Sequence, residues 1–421
     1  MAALAAAQTA PPVELSLKDA EAAALKNHPR VLAAENQLSA AHELITEARS
    51  AYLPTLNADL TGTQTNQDAR VGAGLLTDPR MFDHFGQGVT FTQLVTDSGR
   101  TNNLVANTQL REKASQQDYQ ASKYDVLLAV NRAYYEVLRA QALVQVAEQT
   151  VAARQVLFDQ VGELARNKLR SDLDVGFAEV NLEQAKLLVI RTENQLQSAF
   201  AELTRALGTD KPATYKLSDQ PPPPGPEGQP DPLIAQAMAN RPELASYRFS
   251  RDAAYKFERA ERDLALPTVS ITGVAGFLPL INQANARGNI PAEYEGISGN
   301  VEIPIFNGHL FAARRRAAGF EAHVADQKVR DAQEQIARDV QIAWNDSVTA
   351  FQRIGVTARL ETEAARAQDL AKGRYDLGLS SIVELTQAEL NLTSAQIENT
   401  NAKYDYQSQF AVLLYAQGLL R

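Results

Sequence analysis

The amino-acid sequence is written twice, and that duplication limits the fold more than any other feature. Asn27-His28-Pro29 is followed 25 residues after its proline by Leu53-Pro54-Thr55, and Asn240-Arg241-Pro242 is followed at the same spacing by Leu266-Pro267-Thr268, an offset of 213. Further on, Ser171 to Leu182 matches Ser381 to Leu392 at an offset of 210, with Ala178, Glu179 and Asn181 facing Ala388, Glu389 and Asn391. Gln197, Ser198, Phe200 and Gly208 recur as Gln407, Ser408, Phe410 and Gly418, again 210 apart. One register held across both halves predicts two repeats, at 14–208 and 231–421. Between them, 209–230 is a linker stiffened by the run Pro221 to Pro226. Residues 1–13 are expected to be a flexible remnant; Met1 to Ala10 are too short and lack a basic start, as expected of the stub left where a secretory signal was cut.

Each repeat carries the same order of elements. In the first, Leu17 to Lys26 predicts a short helix with Ser16 as N-cap, and Val31 to Ala51 a longer one. Pro54 and Pro267 mark helix-to-strand transitions, because the ring and the missing N–H disfavour further helix. Strict alternation follows: Leu56, Ala58, Leu60 and Gly62 against Thr55, Asn57, Asp59, Thr61 and Thr63. Val89, Phe91 and Val95 interleave with Thr90 and Thr92 in a second strand. The second repeat does the same with Val269, Ile271, Gly273 and Ala275, then Ile297, Val301, Ile303 and Ile305. Strand hairpins are therefore expected at 54–97 and 267–306, four strands per chain.

Gly99 and Gly308 mark the strand-to-helix transitions, and helical hairpins are expected at 99–208 and 308–421. No proline interrupts Arg100 to Arg166, a helix of about 100 Å at ~1.5 Å per residue. Leu127, Val130, Tyr134 and Val137 step by three and four, as do Leu385, Ala388, Leu392 and Ala395, the seam spacing of coiled coils. The shorter helices, Val31 to Ala51 and Ser171 to Leu207, would partner the long one end to end.

Strands of about 9 to 11 residues with one apolar face suit a tilted membrane crossing. Four such strands cannot close a ring, and two open edges in hydrocarbon would leave unpaired N–H and C=O groups costing several kcal/mol each. Copies from other subunits must complete the barrel, and three chains would supply twelve strands. A small soluble sheet packed on helices is the plainer alternative; it would not need the long polar connections Gln64 to His84 and Leu278 to Ala292, where His84 is expected in an outer loop.

Composition removes several function classes. The net charge of -9 opposes nucleic-acid binding, which needs a basic stripe, and the run Arg314 to Arg316 is a solvated helix face. There is no cysteine, which removes disulfides, thiolate metal sites, a Cys nucleophile and the usual N-terminal lipid attachment. No stretch of about 20 apolar residues offers a helical membrane span. The five histidines, His28, His42, His84, His309 and His323, stand isolated without metal-ligand spacing, and no Gly-rich phosphate loop is present. No catalysis, metal or cofactor is expected.

The doubled order of elements, the His28-Pro29 to Leu53-Pro54 spacing and the segment Arg374-Tyr375-Asp376-Leu377-Gly378-Leu379-Ser380-Ser381-Ile382-Val383-Glu384-Leu385 resemble the TolC family of outer-membrane efflux proteins, over residues 14–421. The segment is similar to the family's Tyr-x-x-Gly-x-x-x-x-x-Asp-Val hairpin tip. The first-repeat tip, Leu164 to Val175, departs by carrying Asn167-Lys168 where the family often has a residue followed by glycine. The resemblance implies a mainly α fold with β: a homotrimer whose twelve-stranded barrel lies in the outer membrane of a Gram-negative bacterium and continues into a long periplasmic α-helical barrel, with 209–230 at its equator. It further implies a passive export duct for small molecules, within a tripartite efflux or type I secretion system, docking a periplasmic adaptor and an inner-membrane pump.

The resemblance also assigns residues. The periplasmic constriction would carry Glu384, with Gln387 where the best-known members have a second acid, so one ring of three carboxylates is expected, easy to open and selective for cations. A solvated Glu384 on a helix surface is the competing reading. Ser380 stands where some members place an Arg that locks adjacent hairpins, with Asp174 as candidate partner, so the closed tips would rest on hydrogen bonds. The tips, Leu169, Arg170 and Ser171 with Gly378, Leu379, Ser380 and Ser381, would contact the adaptor. A periplasmic adaptor or other structural coiled-coil protein is the rival class. It would have one helical hairpin between two halves of a lipoyl-like domain, against two helical hairpins and two strand pairs here.

Overall fold

The computed structural model describes residues 13–64, 84–209, 215–226, 228–278 and 292–420. Residues up to 12, where a flexible remnant was expected, and most of the two long polar connections lie outside them. The elements run β1 (Val13–Leu15), α1 (Leu17–Asn27), α2 (Pro29–Ser50), β2 (Thr55–Thr63), β3 (His84–Thr96), α3 (Arg100–Arg166), α4 (Asp172–Leu207), β4 (Tyr215–Leu217), α5 (Pro230–Asn240), α6 (Pro242–Asp263), β5 (Thr268–Phe277), β6 (Glu293–Glu302), α7 (Leu310–Asp376) and α8 (Ile382–Ala416). α3 and α7 each have 67 residues. Among the described residues, no helix is long and apolar enough to cross a membrane.

The chain divides into two compact units, each built from both repeats. One comprises 37–116 and 246–330 and holds a four-stranded antiparallel sheet of order β2-β3-β5-β6. Its register carries the period-2 pattern straight across: Leu56, Phe91, Gly273 and Ile297 form one apolar row, and Thr55, Thr92, Thr272 and Ser298 an adjacent polar row on the opposite face. Phe91 lies over Gly273, filling the place of the missing side chain. A register shift between Leu94 and Thr96 interrupts the β3–β5 ladder at Val95. β2 and β6 are the edges, and every residue of β6 is exposed.

Two expectations are corrected in this unit. His84 begins β3 and does not sit in a loop, because Thr63 pairs with it and extends the ladder. Ile303 and Ile305 lie beyond β6, which ends at Glu302, where the ladder to Thr268 runs out just after Pro267.

The transitions repeat each other closely. After α2, Leu53 N donates to the Ser50 carbonyl before Pro54; after α6, Leu266 N donates to the Asp263 carbonyl before Pro267. After β3, Gly99 takes a φ of 101°, and after β6 Gly308 takes 61°, with Ser98 and His309 also left-handed. Asp97 Oδ2 accepts from both N and Oγ1 of Thr101, capping α3, and Ser98 Oγ donates to the Pro267 carbonyl at 2.6 Å. The buried carboxylates of Glu261 and Asp263 then hold both helix starts: Glu261 takes Arg314 of α7 through two bonds, and Asp263 takes Asn103 of α3.

The other unit comprises residues up to 36, 117–245 and 331 onward. Its core gathers Val126, Val130, Tyr134 and Val137 of α3, Ala20 and Ala24 of α1, and Leu203 and Leu207 of α4. Tyr134 is buried among them and its hydroxyl meets the carbonyls of Leu15 and Ser218, which ties down the short parallel pair β1–β4. Three-residue strands have no legible period, so this pair was not foreseen, and β4 lies inside the stretch read as linker. The proline run is docked on helices: Tyr406 donates to the Pro224 carbonyl, Gln407 to that of Gln220, and Phe351 sits against Gly225. Gly208 and Gly418 end α4 and α8 with a left-handed turn, each pressed against the start of its own repeat, His28 and Arg241. His28 is the N-cap of α2: Arg30 N donates to its Nδ1, and burial with the nearby Arg30 and Arg205 lowers its pKa.

Candidate functional site

The two helical tips are built from one backbone turn. In the first, Lys168 N donates to the Ala165 carbonyl and Leu169 N to that of Leu164; in the second, Gly378 N donates to Tyr375 and Leu379 N to Arg374. This is a Schellman turn, which needs a left-handed residue after the helix. Gly378 supplies it at φ 75°, and Lys168 does so at φ 59° without a glycine's freedom. The next helices start alike. Ser171 Oγ accepts from Asp174 N while Asp174 Oδ2 accepts from Ser171 N, a full capping box; Ser381 Oγ accepts from Glu384 N.

These caps decide what the candidate gate residues can reach. The Asp174 carboxylate is engaged in its own cap, and Ser380 Oγ is buried with no hydrogen-bond partner among the described residues. No hydrogen bond joins Asp174 to Ser380 among the described residues. Glu384 is exposed, with its carboxylate 3.3 Å from Arg374 at the end of α7, and Gln387 bonds Asn391 one turn along α8. Both partners of the Arg374–Glu384 pair are about half exposed, so water screens the attraction. Leu169, Leu377 and Leu379 stand exposed at the tips.

What connects the two tips is Arg170, which sequence reasoning placed only on the adaptor-facing surface. Its Nη2 donates to the Tyr375 carbonyl at 2.6 Å, and its guanidinium lies 4.2 Å over the Tyr375 ring. At the offset of 210, Arg170 stands where the second repeat has Ser380. Tyr375 is buried, which raises its pKa, and packs with Val161, Ala178, Ile382 and Leu385. Gln160 Nε2 adds a bond to Asp376, and Asn181 of α4 donates to Thr386 of α8. Further from the tips, Arg154 of α3 and Glu389 of α8 form a buried ion pair, and burial lowers the Arg154 pKa to about 10. Sequence reasoning missed this pair: Glu389 appeared only as a repeat match to Glu179, and nothing local shows that a helical Arg or Glu faces inward.

Comparison with known proteins agrees with this architecture. The family model described as outer membrane efflux protein matches residues 22–209 and again 233–419, one match in each repeat. The chain is 26% identical to outer membrane protein TolC of Vibrio cholerae over 94% of its own length and 89% of that protein. It is 27% identical to protein CyaE of Bordetella pertussis, over 97% and 85%. Among solved structures, the CmeC outer membrane channel of Campylobacter jejuni superposes with a TM-score of 0.83 at 18% identity, covering 99% of this chain and 90% of that one. The open-state MtrE outer membrane channel of Neisseria gonorrhoeae gives 0.76 at 18%, over 96% and 89%. With two successive matches that together take in most of its length, the chain belongs to the outer membrane efflux protein family.

Proposed function

We propose that this chain is one subunit of a homotrimeric, passive outer-membrane export duct that docks a periplasmic adaptor and an inner-membrane pump, and that its helical tips form the periplasmic gate. The observation that carries the trimer is the sheet: four antiparallel strands with apolar rows, and unpaired edges at β2 and β6. In a membrane such edges demand partners. The exposed leucines at Leu169, Leu377 and Leu379, beside Arg170, Ser171, Gly378, Ser380 and Ser381, are a small apolar knob suited to a facing helical hairpin of the adaptor. The chain is neither an enzyme nor an energy source in this reading. Its relatives' names include an efflux protein and a protease secretion protein, so the duct reading holds for small-molecule and protein cargo alike.

The gate reading assigns two kinds of residue. Glu384, Gln387 and Asp174 line the constriction, with the Glu384 charge partly offset by Arg374. Arg170, through one charge-assisted bond and one ring contact, holds the tips of one subunit together by about 2–3 kcal/mol. Single-channel recordings of the purified protein in planar bilayers test both. Arg170→Ala should raise conductance, Glu384→Ala should weaken cation preference, and Arg374→Ala should strengthen it by unmasking Glu384. Three variants indistinguishable from the parent in conductance and ion preference would sink the gate assignment.

A further inference from the structure

The polar links between the first and second helical hairpins differ in burial, and those at the tips flank an apolar cluster in which Val161, Tyr375 and Leu385 are buried. At the tips they are single bonds: half-buried Arg170 to the carbonyl of buried Tyr375, and half-buried Gln160 to exposed Asp376. About 18 Å further along α3, counted at ~1.5 Å per residue from its end at Arg166, the link is Arg154–Glu389. Its two side chains are 4% and 11% exposed, against 57% and 45% for Arg374–Glu384. Beside it lies a cavity of about 170 Å³ edged by Gln149, Thr150, Gln368, Thr393 and Gln396. Ala153 and Leu392 complete its lining, so the pair has both polar and apolar neighbours. Nearer the core, Asp405 of α8 bridges Arg139 of α3 and Arg353 of α7. An exposed bond exchanges readily for water, whereas separating a buried pair leaves two desolvated charges uncompensated.

We infer that Arg154–Glu389 is the hinge point of the gate: the tips part by breaking the bonds beyond it, and the pair itself stays closed in both the shut and the open duct. This rests on the gate reading above. It confines the moving part to the last turns of α3 and α7, with α4 and α8 up to about Asn181 and Glu389. It also gives the pair a positioning role, since its geometry sets where the hairpins begin to diverge. Removing both ions at once avoids stranding either, so paired replacements are the usable variants.

The absence of native cysteine makes the test clean. In the Arg170→Ala background, the full chain would carry either Gln160→Cys with Asp376→Cys or Arg154→Cys with Glu389→Cys, each bridged by a short bifunctional thiol reagent. Bilayer conductance is then read before and after bridging. Bridging 160 to 376 is expected to return the raised conductance to the parent level. Bridging 154 to 389 is expected to leave it within about twofold. A 154–389 bridge that shuts the channel would overturn the hinge alone, because the pair would then have to separate on opening. An Arg170→Ala channel no wider than the parent, or a 160–376 bridge without effect, would remove the gate reading and the hinge with it. Should the 154/389 cysteine variant not assemble, the exchange Arg154→Glu with Glu389→Arg keeps the pair. Parental conductance is expected from it, and a raised conductance would count against the hinge.

Discussion

Lys168 occupies a left-handed backbone position that the second repeat gives to Gly378, and the two tips nevertheless share one hydrogen-bond pattern. The side chain makes that conformation unfavourable by about 1 kcal/mol, and part of this would be returned as lost unfolded-state restriction if glycine replaced it. Lys168→Gly is therefore expected to stabilise the tip by about 0.5 kcal/mol, read as a higher thermal midpoint with unchanged assembly. A lower midpoint would show that Lys168 makes a stabilising contact in the assembled duct. The departure at Asn167-Lys168 removes the glycine that announces a Schellman turn in sequence, and the turn forms without it. Arg170 was legible as a tip residue but not as the link between tips, since its target, the Tyr375 carbonyl, is a backbone atom 205 positions away.

At the level of elements, the strands were the most readable feature and their ends the least. The alternation from Thr55 to Thr63 and from Thr268 to Ala275 matches the register across all four strands, because a sheet with two chemically different faces cannot slip by one residue without inverting both. Ile297 belongs to the row of Leu56 and Phe91, and Ser298 to the row of Thr55 and Thr92. If the first row faces lipid, Ile297→Arg should cost about 2–4 kcal/mol near the membrane midplane, while Ser298→Arg should be tolerated. The check is the amount of folded protein recovered in outer-membrane fractions. Equal recovery of both variants would contradict the assigned faces. The long helices were equally plain, α3 falling at Arg100–Arg166 as expected from the uninterrupted run. β1 and β4 were invisible because three residues carry no period; the Tyr134 hydroxyl, between the carbonyls of Leu15 and Ser218, and the Lys216–Glu14 ion pair tie them together.

For the whole molecule, the unpaired edges of β2 and β6 lead to the assembly prediction. Detergent-extracted protein should have the protein mass of three chains by light scattering, and a stable monomer would remove the case for a shared barrel. The sequence by itself determined the duplication, the order of the helices and of the four strands of the larger sheet, the faces of those strands, the turns at Pro54, Gly99, Pro267 and Gly308, and hence the family. All of these follow from local chemistry repeated at a fixed interval: periodicity, backbone restriction at proline and glycine, and helix capping. Only the tertiary structure decided which polar side chains meet. The pairing of Arg154 with Glu389, of Arg170 with Tyr375, and of Glu261 and Asp263 with the starts of α7 and α3 depends on which helix faces which. That is set by packing between segments far apart in the chain, where a charge on a helix has the same sequence signature whether it meets water or a buried partner.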